Sequence, residues 1–336
     1  MRSPVISVLI PFRDAAEYMD SALGSVAAQT FGDIEVVMVD DGSKDGSGVI
    51  ARKWCGRDAR FRLADCCGRG LVDALNSGLS ACRGAWVARM DADDVCLPER
   101  LRLQLELAER SGVRTVVTCR VRSFPEDRVT DGYRAYEEWL NRLLDPEDIR
   151  RNIFVESPVP HPTAFYHRES IMAEGGYSER QLPEDYELWL RLWSRGYSFE
   201  RVPEVLLMWR ERPDRLSRRC GVYSLTNFYR LKARYLALVP CMSGRRVFIA
   251  GGGQTARRIG KCLQDNGFSI EAFLEPVSGG PERMLRGRPV LDPGVLAENS
   301  GIPVVIASRL PGARDSIRAY LLGLGLREWE DFVACS

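Results

Sequence analysis

Three acidic residues stand close together in residues 88–94, directly after an apolar run over residues 85–90. Asp91 and Asp93 are one residue apart, so both side chains can turn the same way as the chain leaves a strand. Carboxylate oxygens are the ligands that Mg²⁺ and Mn²⁺ prefer in proteins. An ion held there would neutralise a departing phosphate. The other interpretation is an acidic turn that caps a helix beginning near Pro98.

Short apolar segments alternate with helix-forming segments in this part of the chain. The predicted strands cover residues 5–10, 34–39, 61–64 and 85–90, and the predicted helices cover residues 18–28 and 70–81. Such alternation predicts a parallel sheet, and the ligands of open parallel sheets collect beyond the carboxyl ends of the strands. Acidic residues follow two of these ends, at residues 40–45 and 91–94, so we expect them in one crevice.

Composition bounds the class of protein. A chain of 336 residues with 45% apolar content can bury a sizeable core, more naturally as two domains than as one. The formal net charge of +1 argues against nucleic acid as a partner. No apolar run is long enough to span a bilayer, and residues 1–4 do not resemble a signal peptide, so a cytoplasmic location is expected. The ten cysteines are scattered, with Cys66 and Cys67 as the one adjacent pair, and are interpreted as reduced thiols.

Several motifs then carry a family resemblance. The segments Ser7-Val8-Leu9-Ile10-Pro11, Val39-Asp40-Asp41-Gly42-Ser43 and Met90-Asp91-Ala92-Asp93-Asp94 occur in this order. Together they resemble a family 2 glycosyltransferase of GT-A fold, over about residues 4–220. His161-Pro162-Thr163, Gly175-Gly176-Tyr177 and residues 184–191 agree, the last being similar to the acceptor-side segment of that family. The resemblance implies an α/β fold in which helices flank a mostly parallel, nucleotide-sugar-binding sheet, followed by an acceptor-binding half.

The resemblance also implies a set of donor-binding residues. Asp40 or Asp41 would accept hydrogen bonds from the base or ribose, which can specify uridine or guanosine nucleotides. The sequence Asp40-Asp41-Gly42-Ser43 also predicts an Asx-type turn, and the two roles do not conflict. The other expected contacts are Pro11 and Arg13 in the nucleotide pocket, Arg69 on phosphate, and Asp91 and Asp93 on the diphosphate through Mn²⁺ or Mg²⁺. Asn76 lies in the segment that would pack beside the nucleotide, although an Asn near a helix end favours a simple C-cap.

The acceptor side is predicted around residues 183–193. Inverting transfer needs one carboxylate to take the proton of the attacking hydroxyl, and Asp185 is the candidate for that base. Pro183 precedes a helix here, so the alternative is an acidic first turn that complements the helix dipole, a role that Glu184 can fill. The predicted acceptor-binding residues are His161, Glu184 and Trp189.

One position departs from the family. Many relatives carry Tyr-Arg-x-His after the last core strand, whereas residues 208–212 of this chain place Arg212 where the His would be. Arginine cannot ligate a metal, but its guanidinium can clamp a diphosphate with two hydrogen bonds. The alternative is a solvated basic stretch that contains Arg210, Arg212, Arg215, Arg218 and Arg219.

Two further segments follow. Residues 222–239 look helical, and this helix either packs between domains, which we favour, or makes peripheral contact with the inner face of the membrane. After residue 243 a strand leads into Gly251, Gly253 and a helix, and Glu275 follows about 20 residues later, as in a dinucleotide-binding fold. About ninety residues are short for a complete fold of that kind. The glycines therefore bind a mononucleotide or nucleotide-sugar, or serve packing alone.

The sequence predicts a GT-A glycosyltransferase domain over residues 1–221, a helical linker over 222–243 and a small Rossmann-like α/β domain over 244–336. The predicted activity is inverting transfer from a nucleotide-diphosphate sugar, with UDP expected, to a hydroxyl of a glycan or lipid-linked acceptor in cell-surface polysaccharide synthesis. Two alternatives stay open, an inactive nucleotide- or glycan-binding scaffold and a nucleotidyltransferase. The second needs a Gly-rich phosphate loop after the first strand, and Pro11-Phe12-Arg13-Asp14 is not one.

Overall fold

The computed structural model describes residues 3–66, 68–178, 181–276, 283–299, 301–310 and 312–336, and the chain divides into two compact units. The first unit comprises Met1–Arg150 and Pro158–Arg219, and the second comprises Arg151–Ser157 and Cys220–Ser336. Residues 222–243, predicted as a linker, fall inside the second unit. The predicted domain boundaries stay a proposal.

The helices and strands alternate along most of the chain. Up to Arg219 they are β1 (Ile6–Phe12), α1 (Ala16–Ala27), β2 (Ile34–Asp40), α2 (Ser47–Arg57), β3 (Phe61–Ala64), α3 (Leu71–Ala81), β4 (Trp86–Arg89), β5 (Val95–Cys96), α4 (Arg100–Ser111), β6 (Thr115–Phe124), α5 (Asp131–Arg142), α6 (Pro146–Asn152), β7 (Phe165–His167), α7 (Arg168–Ala173), α8 (Glu184–Ser194), β8 (Ser198–Arg210) and α9 (Leu216–Arg219). Beyond it they are α10 (Leu225–Leu236), β9 (Arg246–Ala250), α11 (Gln254–Asp265), β10 (Ser269–Leu274), β11 (Met284–Leu285), β12 (Arg288–Leu291), β13 (Val304–Ile306), α12 (Ala313–Gly323) and β14 (Phe332–Ala334).

The sheet of the first unit has the strand order β3-β2-β1-β4-β7-β6-β8-β5. β1 is parallel to β2 and β4, and β3 is parallel to β2, so the four predicted strands form one parallel half. β7 is antiparallel to β4 and β6, β6 is parallel to β8, and β5 is antiparallel to β8. The predicted α/β class with a mostly parallel sheet is confirmed. The register aligns Phe12 with Asp40 and Leu9 with Arg89, so the segments after β1, β2 and β4 leave the sheet at one edge.

β1 is buried on both faces, which explains its continuous apolar sequence. On one face Ile6, Val8 and Ile10 join a core with Met19 and Leu23 of α1. On the other face, Leu9 lies against α3. The parallel half is therefore fixed between helices, and its carboxyl edge is a rigid platform for side chains.

The second unit contains a smaller sheet with the order β11-β12-β10-β9-β13-β14. All neighbouring strands are parallel except β11 and β12. β10 and β13 flank β9 on opposite sides, so the chain reverses its direction of sheet growth beside β9, as in doubly wound α/β sheets.

The segment predicted as helical over residues 222–239 forms α10. Its residues Tyr229, Leu231, Tyr235 and Leu236 are buried, which favours packing over contact with a membrane surface. Among the described residues, no helix combines the length and apolar character that a membrane crossing requires. The described cysteines are free thiols, as predicted, while Cys67 lies outside the described residues.

Gly78 tests the packing of α3 on the parallel strands. An added Cβ would lie 2.2 Å from Cδ1 of Leu9 and 2.8 Å from Cγ2 of Val39, and both side chains are fully buried. We expect Gly78→Ala to lower the free energy of unfolding by about 1–3 kcal/mol in a denaturant titration. Gly56→Ala in α2 is the matched control, since nothing lies within 4 Å of its added Cβ. Equal effects of the two substitutions would contradict this packing.

Candidate active site

Two of the predicted donor-side residues meet at the ends of β1 and β2. The N–H of Asp41 donates to the carbonyl of Phe12 at 2.9 Å, and its Oδ1 accepts the N–H of Gly70 at 2.9 Å. Nη1 of Arg13 lies 3.7 Å from Oδ2 of Asp41. The structure therefore places Arg13 and Asp41 side by side at the start of α3.

The other donor-side candidates surround this pair. Pro11 is buried near the end of β1, and Arg69 is exposed just before α3. Asp40 forms the predicted turn, because its Oδ1 accepts the N–H of Ser43 at 2.8 Å. Asp40 thus has a structural task of its own, and the donor-binding roles of all these residues stay predictions.

The acidic residues after β4 form a cluster. One carboxylate oxygen from each of Asp91, Asp93 and Asp94 lies within 4.8 Å of the others. Asp94 is 1% exposed, and its Oδ1 accepts the N–H of Arg210 at 2.8 Å. Its Oδ2 is buried without a hydrogen-bond partner among the described residues. The acidic turn is therefore a convergent group of oxygens.

Burial and mutual repulsion perturb these carboxyl groups. Burial and the charge of Asp91 raise the pKa of Asp93, and burial and the charges of Asp93 and Asp91 raise the pKa of Asp94 well above its usual range. Burial is also the largest effect on Asp91, but the guanidinium of Arg89, with Nη1 2.7 Å from Oδ1, and the charges of Arg215 and Arg212 together outweigh it and lower the pKa of Asp91. Crowded carboxylates with a buried unpartnered oxygen are a donor set that a divalent cation would stabilise, so these residues fit the expected metal.

The basic stretch after β8 folds onto this cluster. Nε of Arg212 lies 2.9 Å from Oδ2 of Asp93, and Nε of Arg210 donates to the carbonyl of Asp93 at 2.6 Å. The guanidinium of Arg210 also stacks on Tyr18, 4.6 Å from the ring centroid. The stretch is thus solvated only in part, and its exposed arginines are Arg218 and Arg219.

Glu211 anchors the same stretch from inside. Its side chain is 1% exposed and pairs with Nη1 of Arg215 at 3.2 Å and Nη2 of Arg218 at 2.6 Å. The guanidinium of Arg215 lies 4.4 Å from the ring centroid of Trp209. These contacts hold the polypeptide that carries Arg212 in a defined position.

Asp185 lies in the first turn of α8, on the predicted acceptor side. Burial raises the pKa of Asp185 to about 6. The N–H of Tyr186, which donates to Oδ1 at 2.7 Å, and the charge of Arg89 both act to lower that pKa, but their effect is smaller. Asp91 acts on it in the raising direction. A carboxyl group with a pKa near neutrality is suited to general base catalysis. Asp185 therefore lies within electrostatic reach of the donor-side acids.

His161 lies beneath the start of α8 in a buried polar group. Its Nε2 is 2.9 Å from the hydroxyl of Tyr177, which is 3.1 Å from the hydroxyl of Tyr166. Its Nδ1 is 3.6 Å from Oε1 of Glu184. Burial and the charge of Arg89 hold the pKa of His161 well below its usual range, so the imidazole is neutral.

Trp189 is fully buried, edge-on to His161 at 6.2 Å between ring centroids. These contacts join α8, which contains Glu184 and Trp189, to His161. The predicted contacts of these three residues with an acceptor stay predictions.

Asn76 differs from the sequence-based expectation. α3 runs to Ala81, so Asn76 is not a C-cap, and that interpretation is wrong. Its Nδ2 donates to the carbonyl of Tyr177 at 2.7 Å, and its Oδ1 accepts the N–H of Tyr177 at 3.0 Å. Gly176 has φ +63° and an added Cβ would lie 2.6 Å from Oδ1 of Asn76, which explains the glycine of this motif. Asn76 therefore joins α3 to the loop that contains Gly176 and Tyr177.

Sequence reasoning missed a chain of buried polar side chains behind the cluster. Arg100 is fully buried and donates to the carbonyl of Arg89 at 2.7 Å and to Oε1 of Gln104 at 2.9 Å. Nε2 of Gln104 donates to the carbonyl of Thr163 at 2.8 Å. The available signal was the i, i+4 spacing of Arg100 and Gln104 beside Leu101 and the rest of the apolar face of α4.

Gly251 and Gly252 have packing roles in the second unit. Gly251 has φ +121°, and an added Cβ would lie 2.7 Å from the carbonyl oxygen of Ala307. An added Cβ on Gly252 would overlap the carboxylate of Glu275, which pairs with Arg283. Gly253 has open space and precedes α11. Nucleotide binding at Gly251, Gly253 and Glu275 stays a prediction.

The acidic cluster lies at the carboxyl edge of a mostly parallel sheet, as in the class of enzymes that the resemblance implies. The chain belongs to glycosyl transferase family 2, whose family model matches residues 7–175. The protein is therefore a glycosyltransferase, as the resemblance implied.

Two curated relatives are similar to about two thirds of the chain. The amylovoran biosynthesis glycosyltransferase AmsE of Erwinia amylovora is 32% identical over 235 residues, which cover 68% of this chain and 85% of AmsE. The UDP-Gal:alpha-D-GlcNAc-diphosphoundecaprenol beta-1,3-galactosyltransferase of Escherichia coli is 28% identical over 239 residues, which cover 69% of this chain and 83% of that enzyme.

A solved structure supports the fold. S. aureus TarS 1–349 in complex with UDP-GlcNAc matches with a TM-score of 0.55 at 19% identity, over 69% of this chain and 66% of that chain. The match covers about two thirds of the TarS chain and shows the GT-A-like fold alone.

The pKa of Asp185 gives a prediction about pH. A protonated carboxyl cannot accept the proton of the acceptor hydroxyl, so we expect the rate of sugar transfer to fall about tenfold per unit below about pH 6. Asp185→Asn should retain donor affinity and lose turnover by about 10²–10⁴-fold. Initial rates across pH and calorimetric titration of the nucleotide measure both. Glu169→Gln, which changes an exposed acid of α7, is the control. Loss of donor binding together with rate would place Asp185 in the donor pocket.

Proposed function

We propose that this protein transfers a sugar from a UDP-sugar, with inversion, to a hydroxyl of a glycan or lipid-linked glycan in polysaccharide synthesis. The observation that carries the proposal is the pairing of one acid of pKa about 6, Asp185, with the separate cluster of Asp91, Asp93 and Asp94. Inverting transfer needs one base for the acceptor and one charged site for the leaving diphosphate. The names of AmsE and of the Escherichia coli galactosyltransferase support a polysaccharide or lipid-linked acceptor.

The donor base and ribose are assigned to the Arg13–Asp41 pair. A carboxylate accepts from the ring N–H of uracil or from a ribose hydroxyl and cannot donate, so it discriminates against bases that lack a donor there. A UDP-linked donor is supported by the UDP-Gal in the name of the Escherichia coli relative. Pro11 and Arg69 complete the proposed donor contacts.

The diphosphate is assigned to the acidic cluster and Arg212. Asp91 and Asp93 would hold Mn²⁺ or Mg²⁺, which supplies positive charge to the leaving group when bound. Arg212 lies beside Asp93 and can direct its guanidinium fork at the distal phosphate. As the bond from the anomeric carbon to the phosphate oxygen breaks, the acceptor oxygen bonds to that carbon and its proton passes to Asp185.

Nucleotidyl transfer is disfavoured by the loop after β1. That reaction needs free N–H groups to hold phosphate at the start of α1. Here the N–H of Ala15 donates to Oγ of Ser47 at 2.8 Å, and the N–H of Ala16 donates to Oδ2 of Asp45 at 3.0 Å. The N–H groups at the start of α1 are therefore already bound by the side chains of Asp45 and Ser47.

A donor panel tests the function. The full chain is incubated with UDP-, GDP- and dTDP-sugars with and without Mn²⁺, and nucleotide release is measured. We expect release from a UDP-sugar, and a loss of about 10²–10³-fold in Asp93→Asn with little change in melting temperature. Asp33→Asn, at an exposed loop position, is the control. Absence of release by the wild type, or wild-type turnover by Asp93→Asn, would reject the proposal.

The assignment of Arg212 gives a separate prediction. We expect Arg212→Ala to weaken binding of UDP by about tenfold or more and of UMP much less, because the guanidinium contacts the distal phosphate. Calorimetry with both nucleotides measures this. Arg219→Ala removes an exposed arginine of the same stretch and should change neither affinity. Equal losses for UDP and UMP in Arg212→Ala would contradict the assignment.

A further inference from the structure

The second unit contains a long stretch of chain without acidic residues. Residues 220–264 contain eight Lys and Arg residues and no Asp or Glu, although the whole chain has 47 basic and 46 acidic residues. This stretch forms α10, β9 and α11. A local excess of positive charge in a chain that is nearly neutral indicates a surface for an anionic partner.

The packing of α11 determines which of its residues face outward. Its inner face lies on the smaller sheet, where Ile259 is buried and a Cβ added at Gly260 would lie 3.0 Å from Cδ1 of Ile270. The opposite face of the helix is exposed. The basic residues on that face are Arg257, Arg258 and Lys261.

α10 adds an outward stripe of its own. Its inner side contains Tyr229 and Leu236, which are buried. Arg230 and Arg234 are exposed four residues apart, and Leu238, which is 58% exposed, follows at the same spacing. The aromatic side of α10 is thus used for packing, and a partner of this helix would contact its arginines.

The outward cations of α10 and α11 lie near one another. The two helices pack against each other within the second unit. Burial and the charge of Asp265 raise the pKa of the Cys262 thiol of α11, while the charges of Arg230 and Lys261 act to lower it. The exposed cations of both helices therefore border one surface, the basic face, which consists of Arg230, Arg257, Arg258 and Lys261.

The cations of the basic face are not paired with acids. Nη1 of Arg230 donates to the neutral Oδ1 of Asn227 at 3.1 Å, and among the described residues no acid forms an ion pair with a member of the face. In contrast, Arg102 of α4 pairs with both Glu99 and Glu106 at 2.6 Å. Like charges four residues apart on a helix are destabilising, so the stability of the fold does not account for this pattern.

The residue types of the basic face favour a lipid surface over a nucleic acid. Proteins that bind single-stranded nucleic acid stack the bases on exposed aromatic side chains. α11 has no aromatic residue, and the aromatic residues of α10 are at least partly buried. Anionic headgroups need only clustered Lys and Arg, and an exposed apolar side chain such as Leu238 can enter the lipid interface.

We propose that the basic face binds the surface of a bilayer that contains anionic phospholipids. The choice of a membrane as the partner rests on the proposed function, because a lipid-linked acceptor lies at such a surface. Binding through the second unit would then keep the enzyme where this acceptor is found.

Flotation of the full chain with lipid vesicles tests the proposal. The vesicles contain phosphatidylcholine alone or together with phosphatidylglycerol, at low and at high salt. The test variant loses three charges of α11, through Arg257→Gln, Arg258→Gln and Lys261→Gln. The control variant has the same net charge and loses three exposed charges of the first unit, through Lys53→Gln, Arg110→Gln and Arg134→Gln.

We expect the wild type to bind the vesicles with phosphatidylglycerol and to lose this binding at high salt, because salt screens exposed charges. Each cation near an anionic bilayer increases the affinity about fivefold, so the test variant should bind on the order of 10²-fold more weakly. The control variant should bind like the wild type. The melting temperature of the test variant should not fall, since the substitutions remove repulsion between like charges.

Absence of binding to the anionic vesicles, equal binding to phosphatidylcholine alone, or equal losses in the test and control variants would overturn the proposal. Tighter binding to a labelled single-stranded RNA than to the anionic vesicles would also overturn it. Nucleotide release from a UDP-sugar is measured without vesicles on the same samples, and the test variant should retain it. A wild type that releases no nucleotide would reject the proposed function, while flotation would still decide whether the basic face binds lipid.

Discussion

The structure of the site depends on the parallel pairing of β1 with β2 and β4. Since the register aligns Phe12 with Asp40 and Leu9 with Arg89, the chain segments after these strands leave the sheet at one level. Side chains on the two sides of β1 can therefore contact one substrate. A one-residue slip would turn each of these strands over, and it would put Asp40 or Gly42 in place of Asp41 and Met90 or Ala92 in place of Asp91.

The acidic edge costs folding stability. Burial raises the pKa of Asp94 and Asp93 in the folded chain, so their ionised forms are disfavoured there relative to the unfolded chain. By linkage, the free energy of unfolding therefore falls as the pH rises from the pKa values of the unfolded chain through the raised pKa values of the folded chain. The surrounding arginines offset part of the cost, and a site built this way is stabilised further by any cationic ligand that binds the folded state alone.

The strands, helices and acids of the parallel half could be predicted because local signals set them. Apolar runs end in charged turns, and the cluster of Asp91 and Asp93 is contiguous in sequence. The contacts of Asn76 with Tyr177 could not be predicted, because the partners are 101 residues apart and neither residue type specifies the other.

The loops after β1 and β2 are interlocked by their own side chains. Besides the contacts at the start of α1, the N–H of Lys44 donates to Oδ1 of Asp14 at 2.7 Å, and the N–H of Asp14 donates to Oγ of Ser43 at 3.1 Å. The two loops are encoded in two separate stretches of sequence, but each depends on the other for its conformation. They therefore have to change together in evolution or in engineering. Recombination that exchanges one stretch without the other would break these contacts, so the proposed donor pocket can change through paired exchange of both stretches or through point substitutions that leave the contacts intact.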